Sequence, residues 1–268
     1  MERALDAYLA RIGHDGPVRA DAATLAALHR AHAAAIPFEN LDIWLGREIR
    51  LEPEHLVGKM VRRRRGGFCF EHNTLFAHML AEIGFRPRRL LGRATFGLPV
   101  LRPRTHMTVL VEADGRPWIA DVGFGGHGLI EPVPFEPGAE HPVGDEVYRV
   151  SASRDGGWEM EVLRAGAADW LSLYWFDLAV FHDPDFAMAC YYVSHEPNSP
   201  FVLRRILSLS PAGERRVMRD GELKLTRGGV ETDLAVTTEA EYRRVLAGTF
   251  GIELADDEAL RPLVGLEG

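Results

Sequence analysis

Apolar residues recur every three or four positions through the first third of the chain and every second position through the middle third. These are the helical and strand periods, so the change of period divides the sequence. Leu5, Tyr8, Leu9 and Ile12 predict a helix stopped by Gly13. Asp21 is placed to cap a second helix carrying Leu25, Leu28 and the alanines at 31 and 33–35, which ends before Pro37. Ile36 to Ile43 should be extended, because a proline disfavours helix at the residue before it. Pro53 opens a third helix with Leu56, Val57, Met60 and Val61 on one face. Arg62 to Arg65 follow and read as a solvated helix end rather than a phosphate site. A fourth helix begins near Cys69, carries Leu75, Phe76, Met79, Leu80 and Ile83, and stops at Gly84.

Beyond Gly84, Leu90-Leu91, Thr105–Glu112, Trp118–Val122, Val147–Ser153 and Trp158–Leu163 predict strands, with turns at Asp114-Gly115 and Asp155-Gly156-Gly157. The middle is thus an all-β unit, sheet or barrel. Pro184 to Tyr192 fits neither period cleanly. A hairpin around Asp220-Gly221 and a helix from a Thr238-x-x-Glu241 capping box, with Tyr242, Val245, Leu246 and Phe250 on one side, close the chain. Helices, then strands, then a mixed end imply an α+β fold in three parts: 1–85 helical, 86–195 β, and 196–268 mixed.

Composition narrows the function. The 268 residues suffice for a large buried core, and 46% hydrophobic with 26% charged residues is ordinary for a globular protein. A net charge of −8 argues against a nucleic-acid binder that works through a general positive field. Two cysteines, Cys69 and Cys190, exclude a disulfide framework and suit a reducing compartment. The N-terminus has no export signal, and no stretch approaches the roughly 20 apolar residues needed to cross a bilayer. The expectation is a cytoplasmic protein without a membrane partner.

The candidate chemistry centres on Arg65-Gly66-Gly67-Phe68-Cys69-Phe70-Glu71-His72-Asn73. A thiol at a helix start sits where unpaired N–H groups and the helix dipole favour its thiolate. Taken alone, Cys69 reads more simply as a small buried apolar residue. His106 and Asp121 flank the Asp114-Gly115 turn. A two-residue loop there pairs Ala113 with Arg116 and sets Asp121 opposite Thr108. His106 and Asp121 then project from one face as diagonal neighbours, roughly 7–8 Å apart at Cα, whereas a three-residue loop would put them on opposite faces. A carboxylate-held imidazole beside a thiol can take its proton. Sequence alone does not bring Cys69 to His106.

Four segments in order, the Arg65–Asn73 stretch, Ile36-Pro37-Phe38-Glu39-Asn40-Leu41, Thr105-His106-Met107 and Ala120-Asp121-Val122-Gly123-Phe124-Gly125, resemble the arylamine N-acetyltransferase family. The resemblance covers the chain end to end. It implies Cys69 as acyl-accepting nucleophile, His106 as base and acid, and Asp121 as its orienter. It also implies a helical bundle, a central antiparallel β-barrel and a C-terminal α/β lid. Acetyl-CoA would be the cosubstrate, with no metal and no permanently bound cofactor, and the acceptor a small aromatic amine, hydrazine or arylhydroxylamine. By the same analogy Phe38, Phe124, Gly125, Gly126 and Phe201 border the substrate cleft; unaided, the aromatics read as core and Gly123–Gly128 as a flexible loop. Phe68 and His72 depart from the tyrosine and glutamine frequent in the family, and His72 reads as a helix-packed structural histidine rather than a second base. Two rivals use the same residue types: a protease- or transglutaminase-like cysteine hydrolase, and an amide synthase relative with another acyl donor. A homo-oligomer stays open.

Overall fold

A computed structural model describes residues 3–96 and 101–262. Helix α1 (Ala4–Ile12) ends at Gly13, whose φ of 68° suits glycine, and α2 (Ala22–Ala35) starts where the Asp21 carboxylate accepts the Thr24 N–H at 2.8 Å. Strand β1 (Phe38–Glu39) follows, then the single turn α3 (Leu41–Trp44). The 36–43 segment is therefore extended only in its first half. The Glu39 carboxylate accepts the Leu41 N–H at 2.7 Å and so starts a helical turn that periodicity does not reveal. Helix α4 (Pro53–Leu56) runs directly into a π-helical segment, Val57–Arg62, and α5 (Cys69–Ile83) closes on Gly84. Leu25, Leu28, Leu56, Met60, Phe76, Met79 and Leu80 pack into one buried cluster among these helices.

Eight strands follow in an antiparallel sheet: β2 (Arg88–Ala94), β3 (His106–Ala113), β4 (Arg116–Ile119), β5 (Val133–Pro134), β6 (Glu140–Val143), β7 (Glu146–Ala152), β8 (Trp158–Leu163) and β9 (Leu171–Phe176). The order β5-β4-β3-β2-β9-β8-β7-β6 curls into a nearly closed barrel whose interior holds Leu90, Ile119, Val133, Tyr148, Met160 and Phe176. Strand β4 is shorter than the predicted 118–122. Its last ladder bond runs from the Ala120 N–H to the Val109 carbonyl, after which the chain turns Asp121 and Gly123 towards α5.

The ambiguous 184–192 stretch is helix α6 (Asp183–His195), begun by the Asp185 carboxylate accepting the His182 N–H at 2.8 Å. The short α7 (Pro200–Leu203) leads to β10 (Ile206–Leu209), β11 (Glu214–Arg219), β12 (Glu222–Arg227), β13 (Val230–Ala235) and α8 (Glu239–Phe250). The second sheet has the order β1-β10-β11-β12-β13, so the helical segment supplies its first strand. Thr238 accepts the Glu241 N–H as expected, but the Glu241 carboxylate reaches back to the N–H of Thr237, one residue further than a capping box requires. Among the described residues, no helix is long and apolar enough to cross a membrane.

Candidate active site

The site is built where α5, β3 and the loop after β4 meet. Cys69 is the first residue of α5 and is 3% exposed. The Gly-Gly pair before it is dictated by space: a Cβ on Gly66 would lie 1.8 Å from the Pro37 carbonyl oxygen, and one on Gly67 2.7 Å from the Glu71 carboxylate. That carboxylate accepts the Phe68 N–H at 3.1 Å and the buried Lys59 ammonium at 2.7 Å. Lys59 also pairs with Asp42, and Arg65 with Asp42 and Glu39. Arg62 to Arg64 are solvated, but Arg65 is not; it is 5% exposed and anchors the turn into Cys69, which corrects the reading of the whole arginine run as a solvated end. The correction follows from burial: a charge removed from water needs partners, and Glu39 and Asp42 supply them.

The hairpin register is the one a two-residue turn demands, with Ala113 opposite Arg116 and Leu110 opposite Ile119. It brings His106 Nε2 to 2.6 Å from Asp121 Oδ2. The other Asp121 oxygen accepts the Gly123 N–H and the Asn73 side-chain amide, both at 2.9 Å. Gly123 lies against α5 so closely that a Cβ there would be 2.9 Å from Cys69 Cα. The Cys69 thiol is 3.8 Å from the Thr105 carbonyl oxygen, and its side chain acts on the neighbouring His106 ring. With Nε2 committed to Asp121, Nδ1 is the ring nitrogen left open for the sulfur.

Burial by itself would drive the His106 pKa down. The Asp121 carboxylate and the Cys69 side chain outweigh it and push the pKa up to about 10. For Asp121, burial would raise the pKa, yet His106, Asn73 and the Gly123 N–H together hold it below the usual carboxylate range. The pair is thus an imidazolium and a carboxylate at neutral pH. Tyr174 closes the inner side with its ring 4.5 Å from the imidazole, and Phe124 meets the same ring edge-on at 5.1 Å.

Asn73 was not singled out by sequence reasoning. It sits four residues after Cys69, on the same face of α5, and that spacing was the available signal. Its amide donates to the Met107 carbonyl at 2.6 Å and to Asp121, and its oxygen accepts the Val122 N–H at 3.1 Å. One side chain of the cysteine helix therefore ties down both the histidine strand and the aspartate loop.

His72 points away from the thiol. It donates from Nε2 to the Pro37 carbonyl at 3.1 Å, accepts from His32 at 2.8 Å, and His32 in turn accepts from the Tyr8 hydroxyl at 2.9 Å. Burial pushes the His72 pKa down to about 4, so the ring is neutral and fully engaged. Of the residues placed at the cleft by resemblance, Phe124 touches His106. Phe38 packs on Phe201, and the Gly125 backbone sits against the Phe38 ring. The Gly126 N–H donates to Ser208 of the C-terminal sheet. Among the described residues, no cluster of His, Cys, Asp and Glu is arranged to hold a metal ion.

Comparison with known proteins gives consistent findings. The N-acetyltransferase family model matches residues 21–259. An arylamine N-acetyltransferase of Mycolicibacterium smegmatis is 35% identical over 263 residues, covering 96% of this chain and 94% of the relative. The solved arylamine N-acetyltransferase of Salmonella typhimurium is similar with a TM-score of 0.90 at 33% identity, covering 96% of this chain and 94% of that one. That of Mycobacterium marinum in complex with CoA has a TM-score of 0.88 at 33% identity and covers 92% of each chain.

Proposed function

The chain belongs to the arylamine N-acetyltransferase family, acyltransferases that use acetyl-CoA as cosubstrate, and from that premise we propose a two-step transfer through Cys69. In the first step the Cys69 sulfur, its proton held on His106, attacks the thioester carbonyl of acetyl-CoA. The carbon–sulfur bond to CoA breaks and CoA leaves as a thiol, taking the proton from His106. In the second step the nitrogen of a small aromatic amine, hydrazine or arylhydroxylamine attacks the acetyl-cysteine. His106 accepts the proton of the incoming nucleophile, and the thiolate departs. Splitting the transfer replaces one ternary encounter with two displacements at a common sulfur.

The observation that carries this reading is the His106–Asp121 contact of 2.6 Å, set beside Cys69 by the Asn73 amide from the same helix. Asp121 holds the ring in one orientation and stabilises its protonated form. The Glu71 N–H already donates to the Phe68 carbonyl, so the N–H groups of Cys69 and Phe70 at the start of α5 are the ones that would meet the developing oxyanion. Phe38, Phe124, Gly125, Gly126 and Phe201 supply the apolar walls and the close backbone approach for the acceptor and the pantetheine arm. We place the enzyme in the cytoplasm, where two buried unpaired cysteines remain reduced.

Intact-mass measurement after mixing with acetyl-CoA, followed by an arylamine, tests the scheme. One acetyl group should appear on Cys69 and then move to the amine, and Cys69→Ala should abolish both while retaining the melting temperature. Turnover retained in that variant would refute the scheme. Peptide cleavage without N-acetyl product would favour a hydrolase.

A further inference from the structure

The loop after Asp121 is rich in glycine and takes its shape from distant side chains. Gly125 and Gly126 have φ of 71° and 47°, and the Gly128 N–H closes a turn onto the Gly125 carbonyl at 2.7 Å. Gly128 lies so close to Phe124 that a Cβ there would be 2.8 Å from the Phe124 Cβ. Glycine backbone loses more freedom on folding than any other, so contacts from outside the loop must hold it.

Arg215, on β11 of the C-terminal sheet, supplies them. One terminal nitrogen of its guanidinium donates to the Gly126 carbonyl at 2.6 Å and the Gly128 carbonyl at 3.2 Å. The other pairs with Glu146 and donates to the Tyr148 hydroxyl at 2.9 Å. Glu146 and Tyr148 belong to β7 of the barrel and are buried. Tyr148 donates in turn to Glu146 at 2.7 Å, and His127 of the loop meets the same carboxylate at 3.1 Å. Burial would raise the Glu146 pKa, yet His127, Arg215 and Tyr148 together hold it below the usual carboxylate range. One planar group thus serves four acceptors, two of them backbone carbonyls of the loop. An ion pair that only fastened sheet to barrel would need Glu146 alone. The next residue, Arg216, points the other way, to the Thr249 carbonyl of α8.

We propose that Arg215, seated on Glu146 and Tyr148, is a positioning residue for the aromatic acceptor: it fixes the Gly125–Gly128 loop and, through it, Phe124 against His106. The proposal rests on the two-step reading above and on Phe124 as a wall of the cleft. The Phe124 ring lies 5.1 Å from the His106 ring and 5.4 Å from that of Tyr174. An aryl ring entering beside acetyl-Cys69 packs on this wall, which aims its nitrogen at the carbonyl carbon. A hydrazine without a ring gains nothing from the wall. The cluster therefore sorts acceptors by whether they carry an aryl group.

The full chain, acetylated on Cys69 by acetyl-CoA and freed of CoA, is mixed with para-toluidine or with hydrazine, and loss of the acetyl group is followed by intact mass. Arg215→Met removes all four donated bonds. It should slow discharge by para-toluidine about tenfold and leave discharge by hydrazine within about twofold of wild type. Arg215→Lys keeps a charge against Glu146, but a point charge cannot serve four acceptors. It should recover the melting temperature and not the para-toluidine rate. Equal slowing of both acceptors, or of neither, overturns the proposal, as does full recovery of the para-toluidine rate in Arg215→Lys. Those results leave the two-step reading standing, whereas a wild-type chain that takes up no acetyl group refutes that reading and the proposal with it.

Discussion

Asn73 is the residue on which the site geometry turns. Its amide satisfies the Met107 carbonyl and one Asp121 oxygen, and its own oxygen takes the Val122 N–H, so truncation leaves three buried polar groups short of a partner. Each such group costs about 1–3 kcal/mol. Asn73→Ala should therefore lower the melting temperature and cut kcat by about tenfold or more, through a less well oriented Asp121. Asn73→Asp should be worse, because a second carboxylate would stand beside the first. Near-wild-type turnover in Asn73→Ala would show that the amide only packs. The His106–Asp121 pair also has a definite pH window. The folded His106 pKa of about 10 lies above its ordinary value of 6.5. The pair thus contributes its full stabilisation below about pH 6.5 and loses it as the pH rises through about 10. The melting temperature of the wild-type chain should fall on that alkaline limb more steeply than that of His106→Gln.

At the scale of elements, the informative one is the Gly66–Phe68 turn that delivers Cys69 to the start of α5. Two glycines stand there for different reasons. A Cβ at Gly66 would strike a backbone carbonyl at 1.8 Å, whereas one at Gly67 would strike the Glu71 carboxylate at 2.7 Å. The Pro37 carbonyl, which accepts the Gly67 N–H and the His72 ring N–H beside the Phe38–Gly67 bridge, cannot retreat, while a side chain can shift at the expense of its ion pair. Thermal melts should accordingly rank Gly66→Ala below Gly67→Ala, with both below wild type, and the reverse ranking would contradict this account. The turn was legible as a helix break from its glycines. Its anchoring was not: Lys59 meets Glu71 across 12 residues and Arg65 meets Glu39 across 26, and nothing in the local pattern marks Arg65 apart from the solvated arginines before it. In the same way α6 stayed ambiguous because it is apolar on both faces, which removes the one-sided periodicity that identifies a surface helix.

Across the whole molecule, three buried histidines set the acid limit of the fold. Burial depresses His29 and His72 to about 4, and holds His32 well below its ordinary range. Between pH 6.5 and about 4 the unfolded chain binds protons that these folded rings exclude, so stability rises with pH there and is lost as pH falls. At about 1.4 kcal/mol per pKa unit, His29 and His72 account for about 2 kcal/mol apiece by pH 5, and His32 acts in the same direction. The melting temperature should therefore drop markedly from pH 7 to pH 5, and His72→Gln, whose amide can both donate and accept, should flatten that limb; an unchanged limb would remove His72 from the explanation. What the chain determined by itself were the features that depend on near neighbours: helix caps at Asp21 and Thr238, stops at Gly13 and Gly84, the change from helical to alternating period, and the turn at Asp114-Gly115. The hairpin register followed only once that turn was seen to have two residues, after which strict alternation puts His106 and Asp121 on one face. Only the tertiary structure decided that the thiol meets the imidazole, that Arg65 and Lys59 are interior, and that Asn73 joins helix to hairpin. Those contacts link segments placed relative to each other by core packing, and packing energy is spread over many apolar side chains rather than written at any one position.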